Sequence, residues 1–190
     1  MLIILVGDTM KKILLTIMSI FLLSACSLSN NPSSKVEAYL NQYNNLSDNV
    51  KLDLESKVAS ENLSDKNKKV YKDLLTKQYK NMKYEIKDKT INADEATVKA
   101  KITVIDYFKA QKESDDYLKE NPSKFYDENQ IFSDELFNTY KLKKMDEVKD
   151  TVDYDITFKL NKVDGQWKLE SPDRIILEKI HGLYDYTSDN

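Results

Sequence analysis

Few side chains in this sequence can carry covalent or proton-transfer chemistry. The chain holds one His, His181, and one Cys, Cys26. Nucleophilic catalysis needs an activated Ser, Cys or Lys with a base within reach, and His181 is the sole imidazole. It lies beside Gly182, near the expected end of the last helix, where a His complements the negative end of the helix dipole. It therefore reads as a helix-end or surface side chain. Zinc would need a second His or a free Cys. Asp127-Glu128-Asn129 lacks both the Gly and the distant Glu of an EF-hand loop. After Gly7 the only glycines are Gly165 and Gly182, too few for a phosphate-cradling loop. No metal site and no cofactor are expected. One carboxylate stands apart. Asp106 follows Val104-Ile105 and precedes Tyr107-Phe108. Enclosed near the end of a strand it could act as a general base. Immediately before a helix, Asp106 would serve as an N-cap, which is the expected role; catalysis is the alternative.

A second feature is compositional. Tyr107, Phe108, Tyr117, Phe125, Tyr126, Phe132, Phe137 and Tyr140 crowd one stretch, and half of them are Tyr. Such a mixture suits a surface that is both apolar and hydrogen-bonding. It predicts a ligand or partner patch or, more simply, core between helices and sheet. The Lys runs at 66–69 and 141–144 read as solvated faces that could meet anionic lipid or wall polymer.

The elements that must position these residues are marked by a change of hydrophobic period. Ser34-Lys35-Val36-Glu37 has the form of a capping box. Val36, Tyr39, Leu40, Tyr43 and Leu46 then follow at helical spacing. A second helix is expected over about 48–60, with Val50, Leu54 and Val58 inward. A third is expected after Ser64, with Val70, Tyr71, Leu74, Leu75 and Tyr79 inward. The period then shortens to two. Met82, Tyr84 and Ile86 alternate with charged residues, as do Ala96, Val98, Ala100, Ile102 and Val104, predicting an antiparallel pair around a turn at 92–95. Residues 107–120 return to helical spacing and end at Asn121-Pro122. A further helix from near Ser133 would carry Leu136, Phe137, Tyr140, Met145 and Val148. Val152 to Leu160 alternate again, Asp164-Gly165 signals a hairpin, and a last helix after Pro172 carries Ile175, Ile176 and Ile180. The expected fold class is α+β: N-terminal helices on a curved antiparallel sheet, with a helical insertion at 107–148 between strand pairs. Residues 34–190 form one domain.

The N-terminus reads as an address. Lys11-Lys12 precede an apolar run, Ile13–Leu23, too short for the roughly 20 residues of a membrane span. Leu23-Ser24-Ala25-Cys26 resembles the lipobox of bacterial lipoproteins. That resemblance implies a signal peptide over 1–25, a diacylglyceryl group on Cys26, and cleavage just before it. Two acyl chains anchor a protein stably. Residues 26–33 would be a flexible tether. Val6-Gly7-Asp8-Thr9 can be encoded by bases containing a ribosome-binding AGGAG, so Met10 is the expected true start. The Lys- and Asn-rich bias resembles that of an AT-rich, Gram-positive genome, which would place the anchor on the outer face of the cytoplasmic membrane.

The ending Asp164-Gly165-Gln166-Trp167-Lys168-Leu169, with the preceding helices and strands, resembles the cone-shaped nuclear transport factor 2-like fold. Tyr140–Met145 and Glu178–Gly182 resemble stretches of small Gram-positive lipoproteins of unassigned function. In that fold, enzymes place an Asp, His or Tyr inside the cone, a role that the resemblance implies for Asp106 or for Asp153 and Asp155, on or beside strands. With 29 cationic and 32 acidic residues the net charge is -3, against a nucleic-acid binder. The expected function is a lipid-anchored, extracytoplasmic, non-catalytic binding or accessory domain. Its partner would be a small ligand, wall polymer or envelope protein. The alternatives are a wall-associated structural subunit and an enzyme with a carboxylate in the cone.

Overall fold

The computed structural model describes residues 30–187. The signal peptide, the start at Met10 and Cys26 lie outside the described residues. Three helices open the domain: α1 (Pro32–Asn44), α2 (Asp48–Ser60) and α3 (Asp65–Asn81). Strands β1 (Lys83–Asn92) and β2 (Glu95–Ile105) follow. Next come α4 (Tyr107–Glu120), a 3-10 turn (Pro122–Phe125) and α5 (Asp134–Glu147). Strands β3 (Thr151–Val163) and β4 (Gln166–Leu169) and helix α6 (Arg174–His181) complete the chain. The class is α+β.

Each helix starts where a short polar side chain can satisfy a free N–H of its first turn. Ser47, Ser64 and Ser133 cap α2, α3 and α5, and Asp106 and Asp173 cap α4 and α6. The first helix begins earlier than the capping-box pattern at Ser34 predicts. Asn31 is its cap, accepting from the Ser33 N–H at 3.0 Å, and Pro32 occupies the first turn, where its missing N–H costs nothing. The polar stretch expected as tether through Ser33 is thus ordered from Asn30 onward. The Asn30 amide donates to the Gly165 carbonyl at 2.8 Å and accepts from the Trp167 N–H at 2.9 Å.

The four strands form one antiparallel sheet in chain order, β1-β2-β3-β4. Strands β2 and β3 pair without a shift from Glu95↔Asn161 to Ile105↔Thr151. Their alternation puts Ala96, Val98, Ala100 and Ile102 on the same face as Leu160, Phe158, Ile156 and Tyr154, all buried. Helices α1, α3 and α6 cover that face, adding Val36, Leu40, Leu74, Leu75, Tyr79 and Ile180 to the core. The opposite face is polar, with Lys101 and Thr103 both bonded to Asp153 at 2.6 Å. Strand β1 is an edge. It bulges between Ile86 and Asp88 and is exposed beyond that point, and its Lys83, Lys87 and Lys89 discourage pairing with another chain. At the second hairpin Asp164 (φ 51°) and Gly165 (φ 74°) both take left-handed backbone, the two-residue turn that Asp-Gly favours.

Two expected inward residues point outward. Leu136 and Ile175 are each 46% exposed. In α5 the buried stripe is Phe137, Leu142 and Met145, which turns Leu136 to the far side. In α6 only Ile180 is fully enclosed.

Candidate functional site

The eight aromatic residues of the 107–140 stretch do not form one surface; they divide among three places. Tyr107 is wholly buried in the main core, where its hydroxyl donates to the Leu74 carbonyl at 3.0 Å. Phe108 meets the Tyr186 ring edge-to-face at 5.0 Å between centroids. The other six build a lobe of their own between α4 and α5.

Helices α4 and α5 run antiparallel. Lys141 pairs with Asp115 at 2.7 Å, and the Gln111 amide reaches Met145 Sδ at 3.7 Å. Phe125, at the end of the 3-10 turn, fills the centre. It lies edge-on to Phe137 (5.2 Å), Tyr140 (5.4 Å) and Tyr117 (6.2 Å). Tyr117 stacks on Tyr140 at 5.1 Å, and Phe132 extends the chain of rings to Phe137 and Tyr126. Lysines expected to be solvated lie over this cluster, Lys141 above Phe137 at 4.6 Å and Lys144 above Tyr140 at 5.8 Å. Cation–ring attraction of this kind is worth about 0.5–1 kcal/mol at exposed sites.

The loop joining the 3-10 turn to α5 is held by Asp127. Its carboxylate accepts from the N–H groups of Asn129 (2.8 Å) and Ile131 (2.9 Å), and a single bridge pairs Tyr126 with Phe132. The loop thereby presents Tyr126, Ile131, Phe132 and Leu136 to solvent, each between 39% and 62% exposed. Half of the exposed large hydrophobic side chains among the described residues fall in these eleven positions. Sequence reasoning found the rings but not Ile131, whose neighbours Asn129 and Gln130 read as ordinary loop.

Asp106 is the N-cap of α4. One carboxylate oxygen accepts from the Lys109 N–H at 3.0 Å and the other from the Tyr186 hydroxyl at 3.0 Å. Its own N–H donates to the Asp150 carbonyl at 2.9 Å. Only 6% of Asp106 is exposed, and Tyr186 of the C-terminal segment is in direct contact with it. The link between Asp106 and Tyr186, 80 residues apart, leaves no signal in the sequence. Asp153 and Asp155 face solvent on β3, opposite the core.

His181 ends α6, as expected, but is half-buried rather than a surface residue. Its ring packs against Tyr79 at 5.7 Å between centroids. Burial, with a smaller push from the Lys57 cation, holds its pKa down to about 4, so it is neutral at pH 7. Tyr79 in turn meets Tyr43, and the Tyr43 and Tyr39 hydroxyls are 3.0 Å apart. Burial pushes the Tyr39 and Tyr79 phenols well above their ordinary range and raises that of Tyr43, against the hydrogen bond to Tyr39.

Several concavities mark the surface of the described residues, one of about 550 Å³ lying on the rim of the lobe between Tyr126, Asp127, Asn129, Ser133 and Leu136. A groove of about 300 Å³ is lined by Lys57, Glu61, Tyr71, Gln111, Leu142 and Met145. A polar depression of about 370 Å³ crosses the hairpin end of the sheet, lined by Asn92, Glu95, Lys159, Asn161 and Glu170 among others. Among the described residues no group of three or more His, Cys, Asp or Glu side chains converges as a metal site would require, and no helix is long and apolar enough to cross a membrane.

The fold and these sites define an α+β class of protein, with helices packed on one face of an antiparallel meander and an aromatic lobe formed by the helical segment between β2 and β3. No family model and no curated protein matches it. Among solved structures it is similar to ycdA of Bacillus subtilis, provisionally described as a lipoprotein. The identity is 16%, the TM-score 0.37, and the match covers 85% of this chain and 55% of that one. This chain thus spans about half the length of that protein, and a likeness at this level defines neither a fold nor a function.

Proposed function

We propose that this chain is a lipid-anchored, extracytoplasmic, non-catalytic domain that captures an envelope protein through the exposed edge of its aromatic lobe. The observation that carries the reading is the pairing of a filled lobe interior with an uncovered apolar rim. Phe125 and Phe137 are buried, whereas Tyr126, Ile131, Phe132 and Leu136 lie in the open. The rings of Phe125, Phe137 and Tyr140 fill the interior of the lobe, and an apolar rim of this kind is what a protein partner covers. The anchor is supported by Leu23-Ser24-Ala25-Cys26 and its preceding apolar run. The non-catalytic part is supported by Asp106, whose two oxygens are both engaged in structural hydrogen bonds. The fold reading that accompanies it is the nuclear transport factor 2-like cone. It draws support from helices on a single sheet face and from the closing Asp164-Gly165 hairpin with buried Trp167.

The test is a photo-crosslinking amino acid placed at Ile131 in intact cells. A discrete adduct with one envelope protein is expected, together with a diacylglyceryl mass on the peptide beginning at Cys26. The adduct should vanish in Phe132→Ser/Leu136→Ser while the melting temperature holds. A cell-wide absence of adducts from position 131 would refute the docking role, and an unmodified Cys26 would refute the anchor.

A further inference from the structure

We propose that the hairpin end of the sheet is the membrane-facing surface of the protein, with the lipid headgroup layer as its neighbour. The inference rests on the lipid-anchor reading above and adds an orientation to it. The first described residue is fixed to the sheet rather than trailing from it. Asn30 grips the Gly165 carbonyl and the Trp167 N–H at the β3–β4 hairpin, and the Lys89 ammonium reaches the Asn31 side chain at 3.3 Å. Cys26 lies four residues before Asn30. Fully extended, four residues span at most about 14 Å. A lipid on Cys26 therefore holds this corner of the domain close to the bilayer.

The register places both hairpins at that same corner. Glu95 pairs with Asn92 across the first turn and with Asn161 near the second, and the Lys162 N–H donates to the Asp94 carbonyl at 2.7 Å, stitching the two turns together. Each tip carries an exposed apolar residue, Ile91 (47%) and Val163 (40%), suited to the headgroup boundary. The charges around them are mixed. Lys89, Lys159, Lys162 and Lys168 stand against Asp88, Asp94, Glu95, Asp164 and Glu170. This end has no excess of cations to draw it to anionic lipid, so the short tether sets the orientation, and added salt should leave it unchanged. Strand β3 runs from Val163 back to Thr151, about 40 Å at the usual rise. The beginnings of β3 and α4, and Asp106 with them, are thereby held away from the bilayer.

The test uses the full lipidated protein, purified from membranes and reconstituted into phosphatidylglycerol vesicles that carry an energy-transfer acceptor on a headgroup. A donor dye is attached at Val163→Cys or, separately, at Lys149→Cys; both positions are exposed, and Cys26 is blocked by its lipid. The expected result is flotation with the vesicles and several-fold more transfer from position 163 than from 149, unaltered by salt. Flotation with equal transfer, or with more from position 149, overturns the orientation and leaves the anchor standing. Failure to float overturns the anchor itself, and the orientation falls with it.

Discussion

Gln78 binds both backbone groups of Ile105. Its carbonyl oxygen accepts from the Ile105 N–H and its amide donates to the Ile105 carbonyl, each at 2.9 Å. A side chain from α3 thus closes the last residue of β2 as a neighbouring strand would, at the point where the chain turns into α4. Gly182 passes directly over this pair in left-handed backbone (φ 71°). A Cβ there would sit 2.1 Å from Gln78 Nε2 and 2.2 Å from the Ile105 carbonyl oxygen.

Two substitutions follow from that contact. Gln78→Leu leaves both Ile105 groups buried without partners and should cost about 2–4 kcal/mol. Gly182→Ala adds a clash with backbone oxygen to the strain of a left-handed L-residue and should cost at least as much. Gly165→Ala, with open space around its Cβ, meets only the conformational part of that strain, about 1 kcal/mol. Urea unfolding of the three variants checks the order; equal losses at Gly165 and Gly182 would contradict the close approach.

The Asp106–Tyr186 bond should couple the C-terminal segment to the start of α4. Tyr186→Phe removes one hydrogen bond and should cost about 1 kcal/mol. Asp106→Ala removes the cap as well and should cost about 2 kcal/mol or more. In a double-mutant cycle the two losses should be less than additive, because each deletes the same bond. Amide exchange at Lys109, whose N–H the cap holds, should quicken in Asp106→Ala and change little in Tyr186→Phe.

These two contacts also mark where the sequence stops being readable. Strands β2 and β3 were legible because one face is buried and the other wet, so polarity alternates residue by residue. The Asp164-Gly165 turn and the Asp106 cap were legible because local backbone geometry selects those residue types. The roles of Asn30, Gln78 and Tyr186 were not legible, since each depends on a partner 27 to 137 residues away. Asn30, which has the composition of a spacer, becomes structural only through Gly165 and Trp167, whereas its neighbour Asn31 is a local cap of α1 before Pro32. Leu136 fits the helical stripe of α5 yet points outward. Its direction is set by the way Phe137 and Met145 dock, which spacing alone does not reveal. The aromatic richness was visible as composition, but its division into packed lobe, main core and C-terminal clasp is a tertiary result.

The aromatic lobe should respond to substitution according to depth. Phe125→Ala opens a cavity at the centre of the ring cluster and should cost about 3–5 kcal/mol. Because the lobe has its own cluster of rings, the loss should appear first as faster amide exchange in α4 and α5 while β2 and β3 stay protected. Ile131→Ser and Leu136→Ser, on the exposed rim, should change stability by about 0.5 kcal/mol or less. A large loss from Leu136→Ser would mean that this side chain is packed rather than presented.

His181 should make the domain less stable in mild acid. Its pKa is held down to about 4 in the folded state, first by burial and then by Lys57, whereas in the unfolded chain it titrates near 6.5. Between those values the unfolded chain binds the extra proton, so stability rises with pH across the window. The contribution is fully present above about pH 6.5 and is lost progressively as the pH falls toward 4. Allowing for the partial exposure of the ring, acidification from pH 7 to pH 5 should cost about 1–2 kcal/mol through this residue. His181→Phe should flatten that part of the pH profile, whatever it does to stability at pH 7. Urea midpoints of both proteins at the two pH values decide the matter. Parallel profiles would show that the imidazole stays hydrated in the fold and that the acid sensitivity comes from the carboxylates.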